Sequence, residues 1–514
     1  MKSSLSKALI SGSTFLFLHW GPCNSQPIQL VPPQDGSPAE PSRELPLQEV
    51  TGFWEGTPPS LIETYFPQLP LRLTSPLLRS LRVEILKEKY APLLQNPLYE
   101  KTFLSLLMET GQIEQAKEFL SETNLPEKDS VFLELLWLIG EPKKACEKIE
   151  NLIRTSPNLE WKKQNVYCLF LNGEGERGKI AAELLSETTS VASPLLNSLF
   201  DPSSRPPFED SIVHSPFLLN VWCTTGQEIP EQDLKKLNPP SLAFIAGSEK
   251  MPLKTRLLAA QMAFQLGDFK GETLLVLLKD ARSEGLLEKF ARALTASKAE
   301  NLLPLFETAA KDQKLNIVAD VFKPLLTKID PSPETLPLAP YMIRAFLSAR
   351  EKDLAQKWGT FFMRESPDEA IATLPLLHIA FPENKWGETQ LRAWQAYQSR
   401  MNPESAARSS YLLRHVLEAL GEVPGPTIKG EPAAPSWRQG KALFDETALA
   451  LLDSAATSKR KGEVLLLTLI MIGETPLGDL SPEKFTRLLG ALYKAGYTTE
   501  ARSLALEFLL AKGI

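Results

Sequence analysis

The stretch "VYCLFLNGEGERGKIAAELLSE", residues 166–187, carries at its centre GEGERGKI, Gly173–Ile180. Two nucleotide-binding patterns overlap there: G-x-G-x-x-G, and the first seven positions of the phosphate loop G-x-x-x-x-G-K-[ST]. A phosphate loop needs a buried strand before it and a Ser or Thr after the lysine to hold the metal ion. Here the preceding "EWKKQNVYCLFLN" reads as an amphipathic helix, and Ile180 stands at the metal-ligand position. Glu174 and Glu176 would place negative charge where phosphate should sit. No alternation of strands and helices surrounds the stretch, so a dinucleotide fold fails as well. The glycines are read as a turn between two helices.

The same turn recurs along the chain. "METGQIEQAKEFLSE" from Met108, "WLIGEPKKACEKIEN" from Trp137, "FQLGDFKGETLLVLL" from Phe264 and "YKAGYTTEARSLALEFL" from Tyr493 share one layout. Each ends a helix on a Gly, passes a few polar residues and begins another helix. A Gly adopts the left-handed C-cap conformation without steric cost. Five residues later come Ala116, Ala145 and Ala501, with Glu272 the exception; a small residue there lets paired helices approach closely. Gly111, Gly140 and Gly173 are spaced close to the 34-residue period of tetratricopeptide repeats, which the turn, though not the full consensus, resembles. From Thr51 onward, apolar residues recur at helical spacing and no alternating run argues for a sheet. Many of the 42 prolines fit the same pattern. Ser75-Pro76, Asn96-Pro97, Asn238-Pro239, Ser366-Pro367, Asn402-Pro403 and Ser481-Pro482 each pair a capping side chain with a proline at the first helical position. The expected fold is all-α: a right-handed α-solenoid of degenerate, tetratricopeptide-like helix-turn-helix pairs.

Composition narrows the function classes. Hydrophobic residues make up 43% and charged residues 23% of 514, ordinary values for a globular protein, and the net charge is −6. Without a basic block or basic–aromatic interleaving, a nucleic-acid partner is not expected. "VLLLTLIMI", Val464–Ile472, is too short to cross a membrane and suits a buried helix, so no transmembrane segment is expected in the mature chain. The first 25 residues have Lys2 and Lys7, a mostly apolar stretch to Trp20, then small and polar residues, the layout of a secretory signal peptide cleaved after Ser25. Lipidation at Cys23 is the rival reading, though "WGPC" makes a poor lipobox, and a short apolar helix of a cytosolic protein is the plainer one. Residues 26–50, with six prolines, read as an extended tether. An exported chain would keep Cys146, Cys168 and Cys223. A Cys146–Cys168 disulfide suits an oxidising compartment, while lone cysteines on apolar helix faces also serve as small buried hydrophobes.

Chemistry-bearing constellations are sparse. His214, His378 and His415 lie far apart in sequence, and a zinc site from His214 and Cys223 lacks further ligands. Neither a cofactor site, a metal site nor a catalytic triad is expected. Glu365-Ser366 in "FMRESPDEA" resembles the Glu-Ser pair of the superhelical lytic transglycosylases, in which one Glu acts as general acid on glycan. The family's Gly-Leu-Met-Gln stretch is absent, and Ser366-Pro367-Asp368-Glu369 reads as a helix start with acids in its first turn. Phe53, Trp54, Tyr65 and Phe66 in "TGFWEGTPPSLIETYF" are either anchors for a partner or a cover for the open N-terminal end of the array. Residues 421–440, rich in Pro and Gly, read as a long loop, which divides a helical array at 51–420 from a closing helical region at 441–514. Whether these form one solenoid or two arrays stays open.

"GFWEGTPPSLIETYFPQLPLRLTSPLLRSL" near the start of the fold and "LGALYKAGYTTEARSLALEFLLAKG" at its end are similar to a group of uncharacterised exported helical proteins of alphaproteobacteria. That resemblance implies an envelope location and supplies no catalytic residues. The expected function is a periplasmic, non-enzymatic helical-repeat scaffold that binds envelope proteins. The alternative is a peptidoglycan- or carbohydrate-acting enzyme on a helical scaffold, with two acids facing each other across a cleft.

Overall fold

The computed structural model describes residues 52–422 and 446–514, apart from short interruptions at 95, 124, 126, 157, 189–192, 205, 282–284, 296–300, 313, 384–385 and 402. The segments expected to be a signal peptide at 1–25, a tether at 26–50 and, beyond Glu422, a loop at 421–440 lie outside the described residues. Among the described residues every regular element is a helix and none is a strand.

The helices Leu159–Leu171 and Gly175–Thr188 flank Gly173, whose φ is +79°. Gly173 N–H donates to Phe170 O and Glu174 N–H to Leu169 O, the two reverse bonds of a Schellman turn. The GEGERGKI stretch is a helix-turn-helix. The same pair of bonds closes the turns at Gly111, Gly140, Gly267 and Gly496, each with positive φ, and also at Gly421. Two further turns use residues with a Cβ: Arg350 (φ +61°) and Lys459 (φ +56°). A left-handed conformation costs such a residue about 1–2 kcal/mol. Lys459→Gly is therefore expected to raise the unfolding free energy by about 1 kcal/mol, read as a higher urea midpoint at unchanged slope. Arg350→Gly should gain less, because Arg350 also holds Glu507 at 3.1 Å.

Helix pairing follows the small residues. Ala116, Ala145 and Ala501 are fully buried, and Ala355 takes the same place after the Arg350 turn. After the Gly173 turn the position is Gly178, where an added Cβ would meet the Phe200 ring at 2.7 Å. Glu272 is exposed; there Gly271 makes the close approach instead, since a Cβ added to it would lie 3.2 Å from Asp320 O. Helices begin at Pro76, Pro97, Pro239, Pro367, Pro403 and Pro482 as expected, but Ser366 and Ser481 make no side-chain capping bond, and Asn402 lies outside the described residues. Ser75, Asn96 and Asn238 accept the expected capping bonds. Ser215 does the same before Pro216, a start the sequence reading had not singled out.

Contacts reach far beyond neighbouring hairpins. The helix Lys461–Ile472 is buried at every position from Gly462 to Ile472 and packs on the helix Pro76–Lys87 near the other end of the chain. Pro76–Lys87 also meets Thr498–Ala511, and the Arg72 N–H donates to Glu474 Oε1 across 402 residues. Three arginines near this helix tie carbonyl groups together. Arg72 donates to Leu237 O, Arg79 to Leu73 O, Thr74 O and Gln265 O, and Arg82 to Pro70 O and Leu71 O. In a simple repeat array each unit touches only its neighbours. Here the first helices contact both the middle and the last helices, and the chain closes on itself.

Candidate functional site

The closure leaves a cavity of about 380 Å³ between the helices Pro76–Lys87, Leu253–Gln265, Leu315–Leu326, Ala339–Ser348 and Thr498–Ala511. Phe264, Leu315, Ile317, Leu477, Leu510 and Ile514 supply apolar wall. Four charged side chains line it as well: Arg79, Asp320, Arg344 and Glu507.

Two of the four are hydrogen-bonded. The Glu507 carboxylate sits at the N-terminus of Pro76–Lys87, accepting from Ser75 Oγ (2.5 Å), the Leu77 N–H (3.1 Å) and Arg350 Nη2 (3.1 Å). An anion is favoured there by the free N–H groups and the helix dipole. Arg79 turns one nitrogen, Nη1, to three carbonyl oxygens, and Gly267 makes room for the side chain: a Cβ there would lie 2.5 Å from Arg79 Nε. Burial lowers the Arg79 pKa, opposed by Glu507 and Asp320.

The other two are not. Asp320 makes no hydrogen bond or ion pair with the described residues, and burial pushes its carboxyl up to about 6, with Arg79 partly offsetting and Glu507 adding. Arg344 has a buried Nε without a partner and no ion pair among the described residues. Burial lowers its pKa, and the charged or polar groups acting on it are Tyr341 and Tyr397.

The Asp320 shift gives a pH prediction. A carboxyl raised in the folded state costs nothing below its unfolded value near pH 4, and destabilises progressively as pH rises through about 6. Asp320→Asn should therefore leave stability unchanged near pH 4 and raise it by about 2 kcal/mol at pH 8. Urea titrations at the two pH values check this; an equal effect at both would remove the titration account.

The expected site residues fall elsewhere. Trp54, Tyr65 and Phe66 are buried and build core, so their rings are turned inward instead of toward a partner. Trp54 Nε1 donates to Glu88 O at 2.7 Å, and Phe66 stacks on Phe103. Phe53 is half-buried, and its carbonyl accepts from Gly462 N–H at 3.0 Å. The segment thus lies against Lys461–Ile472, not over an open end of an array. Glu365 ends the helix Lys352–Glu365, exposed and paired with Arg364 at 2.7 Å, and Ser366 stands at the N-cap position of the short helix Pro367–Ala370 without a side-chain capping bond. Neither lines the central cavity.

Of the histidines, His378 is the one in a built environment. Its Nε2 lies 2.6 Å from Glu422 Oε2, Arg502 holds Oε1 of the same carboxylate at 2.6 Å, and the ring stacks on Trp386. Burial pushes the Glu422 carboxyl up, but the bonds from His378 and Arg502 outweigh it and hold it below its ordinary value. The neighbouring pocket contains Thr360 but no Ser or Cys among its described lining residues, so no activated nucleophile is in evidence there. Cys223 is buried and its thiol is pushed up to about 12, the opposite of what a metal-binding thiolate needs. Among the described residues no group of three His, Cys, Asp or Glu is placed to hold a metal ion, and no helix is long and apolar enough to cross a membrane. Cys146 and Cys168 form a disulfide between the helices Pro142–Thr155 and Leu159–Leu171.

No family model, no curated protein and no solved structure matches the chain. The arginines around Pro76–Lys87 and the Asp320–Arg344 pair were not legible in the sequence, because lone charged residues on helices carry no spacing signal until the chain closes around them.

Proposed function

We propose that this is an exported, non-enzymatic helical-repeat protein of the cell envelope, a right-handed, tetratricopeptide-like array of hairpins that acts as a scaffold for other proteins. The observation that carries the reading is the repetition of one Schellman-closed hairpin along the chain, since stacked helix pairs offer extended surfaces for partners. The Cys146–Cys168 disulfide supports export, because such bonds persist in oxidising compartments. The test is co-purification after crosslinking in the cell, with fractionation alongside. One dominant protein partner in the soluble exported fraction is the expected result; turnover of an envelope substrate by the purified chain would sink the reading.

The second reading, a peptidoglycan- or carbohydrate-acting enzyme, is favoured by one observation: Asp320, raised to about 6, lines the same cavity as Glu507. Glycosidases need one protonated acid and one free carboxylate. Glu507 is a poor second acid, since three donors already occupy its oxygens. Release of soluble glycan fragments from purified peptidoglycan, lost in Asp320→Asn, would restore this reading; no release by the wild-type chain would end it.

A further inference from the structure

We propose that the central cavity is a binding site for a dipeptide-sized zwitterion with apolar side chains, its carboxylate received by Arg344 and its ammonium group by Asp320. This goes beyond the scaffold reading and does not depend on it.

Charge accounting leads to the ligand class. A buried charge is ordinarily paired or hydrogen-bonded, because leaving it bare costs several kcal/mol. Glu507 is answered by Ser75, Leu77 and Arg350, and Arg79 by three carbonyl oxygens. Arg344 and Asp320, both half-buried, are the two lining charges without a hydrogen bond or ion pair among the described residues, the Arg344 Nε being buried and unpartnered, and they are opposite in sign. They stand on the helices Ala339–Ser348 and Leu315–Leu326, which pack directly on each other, yet they do not form an ion pair. The charges acting on Asp320 are Arg79, Glu507, Arg350 and Lys323, not Arg344. The two groups are thus held apart on one cavity, and a molecule with both charges satisfies them together.

Size and wall chemistry sharpen the choice. A volume of about 380 Å³ falls within the range of roughly 300–1,000 Å³ common for small-ligand sites. We assign a dipeptide to two charges that do not pair with each other, since its termini lie one residue, about 3.8 Å along the chain, further apart than those of a single amino acid. The apolar lining at Phe264, Leu315 and Leu510 receives side chains and not a polar glycan. A simple anion would leave Asp320 bare, and a simple cation would leave Arg344 bare.

The test is calorimetric titration of the full mature chain with Ala-Ala and Leu-Leu, with N-acetyl-Leu-Leu, Leu-Leu amide and free leucine as charge and length controls. Saturable binding of at least one dipeptide is expected, weakened about tenfold or more when either terminus is blocked. Asp320→Asn should lose affinity for the free dipeptide and cease to discriminate the acetylated form. Arg344→Gln should do the same for the amide. Both variants remove an unpaired charge, so both should fold and melt no lower than wild type without ligand, which separates loss of binding from loss of fold. No saturable binding of either dipeptide, equal binding of free leucine, or binding unaffected in both variants would each overturn the assignment.

Discussion

Trp137→Ala is expected to lower the unfolding free energy by about 4 kcal/mol, within the range for removing a large aromatic from a core. Trp137 is fully buried near the end of the helix Lys128–Leu138, with ring centroids 5.6 Å from Tyr167 and 5.5 Å from Phe217. Its Nε1 donates to Gln164 Oε1 at 2.8 Å, and Gln164 is itself buried. Truncation would open a cavity and also strand the Gln164 oxygen, an added cost of about 1–3 kcal/mol unless water enters. The main chain at the same point is committed too: Asn220 Nδ2 donates to Trp137 O, and the Asn220 carbonyl accepts from the Tyr167 hydroxyl. Three helices, Lys128–Leu138, Leu159–Leu171 and Pro216–Thr225, therefore meet on one ring. Trp137→Phe keeps most of the packing and loses the indole bond, so about 1–2 kcal/mol is expected. Urea unfolding followed by circular dichroism reads both variants. A Trp137→Ala loss under 1 kcal/mol would show that this contact set does not hold the hairpins together.

Local structure was legible in the sequence where it depends on a single residue's conformational preference. Gly111, Gly140, Gly173, Gly267 and Gly496 mark their turns because a left-handed residue without a Cβ is cheap. The proline starts were readable for a similar reason, since Pro removes an N–H that would be unpaired anyway. Arg350 and Lys459 make the same turn but could not be seen, because tertiary contacts, not propensity, hold them there; for Arg350 the Glu507 pair is one of these. The long-range arrangement was illegible for a deeper reason. An amphipathic helix announces that it buries a face, not what it buries it against. Phe53, Trp54, Tyr65 and Phe66 were readable as a distinctive aromatic segment, yet nothing near them in the sequence named Gly462 as the neighbour that admits Trp54, whose ring would lie 2.5 Å from a Cβ there. The cavity is a product of that closure. Its orphan charges, Asp320 and Arg344, become informative only when everything around them has been paired off.

Breaking the Cys146–Cys168 bond is expected to cost about 3 kcal/mol, the chain-entropy value for a loop of 22 residues. The bond joins the two helices that lie between Gly140 and Gly173, with Cys168 buried and Cys146 half-buried. It constrains the unfolded chain more than it adds contact area, so its loss should act chiefly by releasing that chain. In a chain lacking residues 1–25, and with them Cys23, the one cysteine outside the bond gives a clean assay. Cys223 is buried with a thiol pushed up to about 12, so it should stay unreactive while the protein is folded. The native oxidised protein should then show no thiol accessible to a maleimide, and the reduced protein should acquire label at Cys146 as the urea midpoint falls. The double variant Cys146→Ser with Cys168→Ser should match the reduced protein and lose sensitivity to reductant. Location enters through the same bond. A chain lacking residues 1–25 and held in a reducing cytosol would forgo the crosslink and should accumulate to a lower level than the same chain directed to an oxidising compartment. If instead the reduced chain is as stable as the oxidised one, the disulfide is dispensable, and the inference from it to an oxidising compartment falls with it.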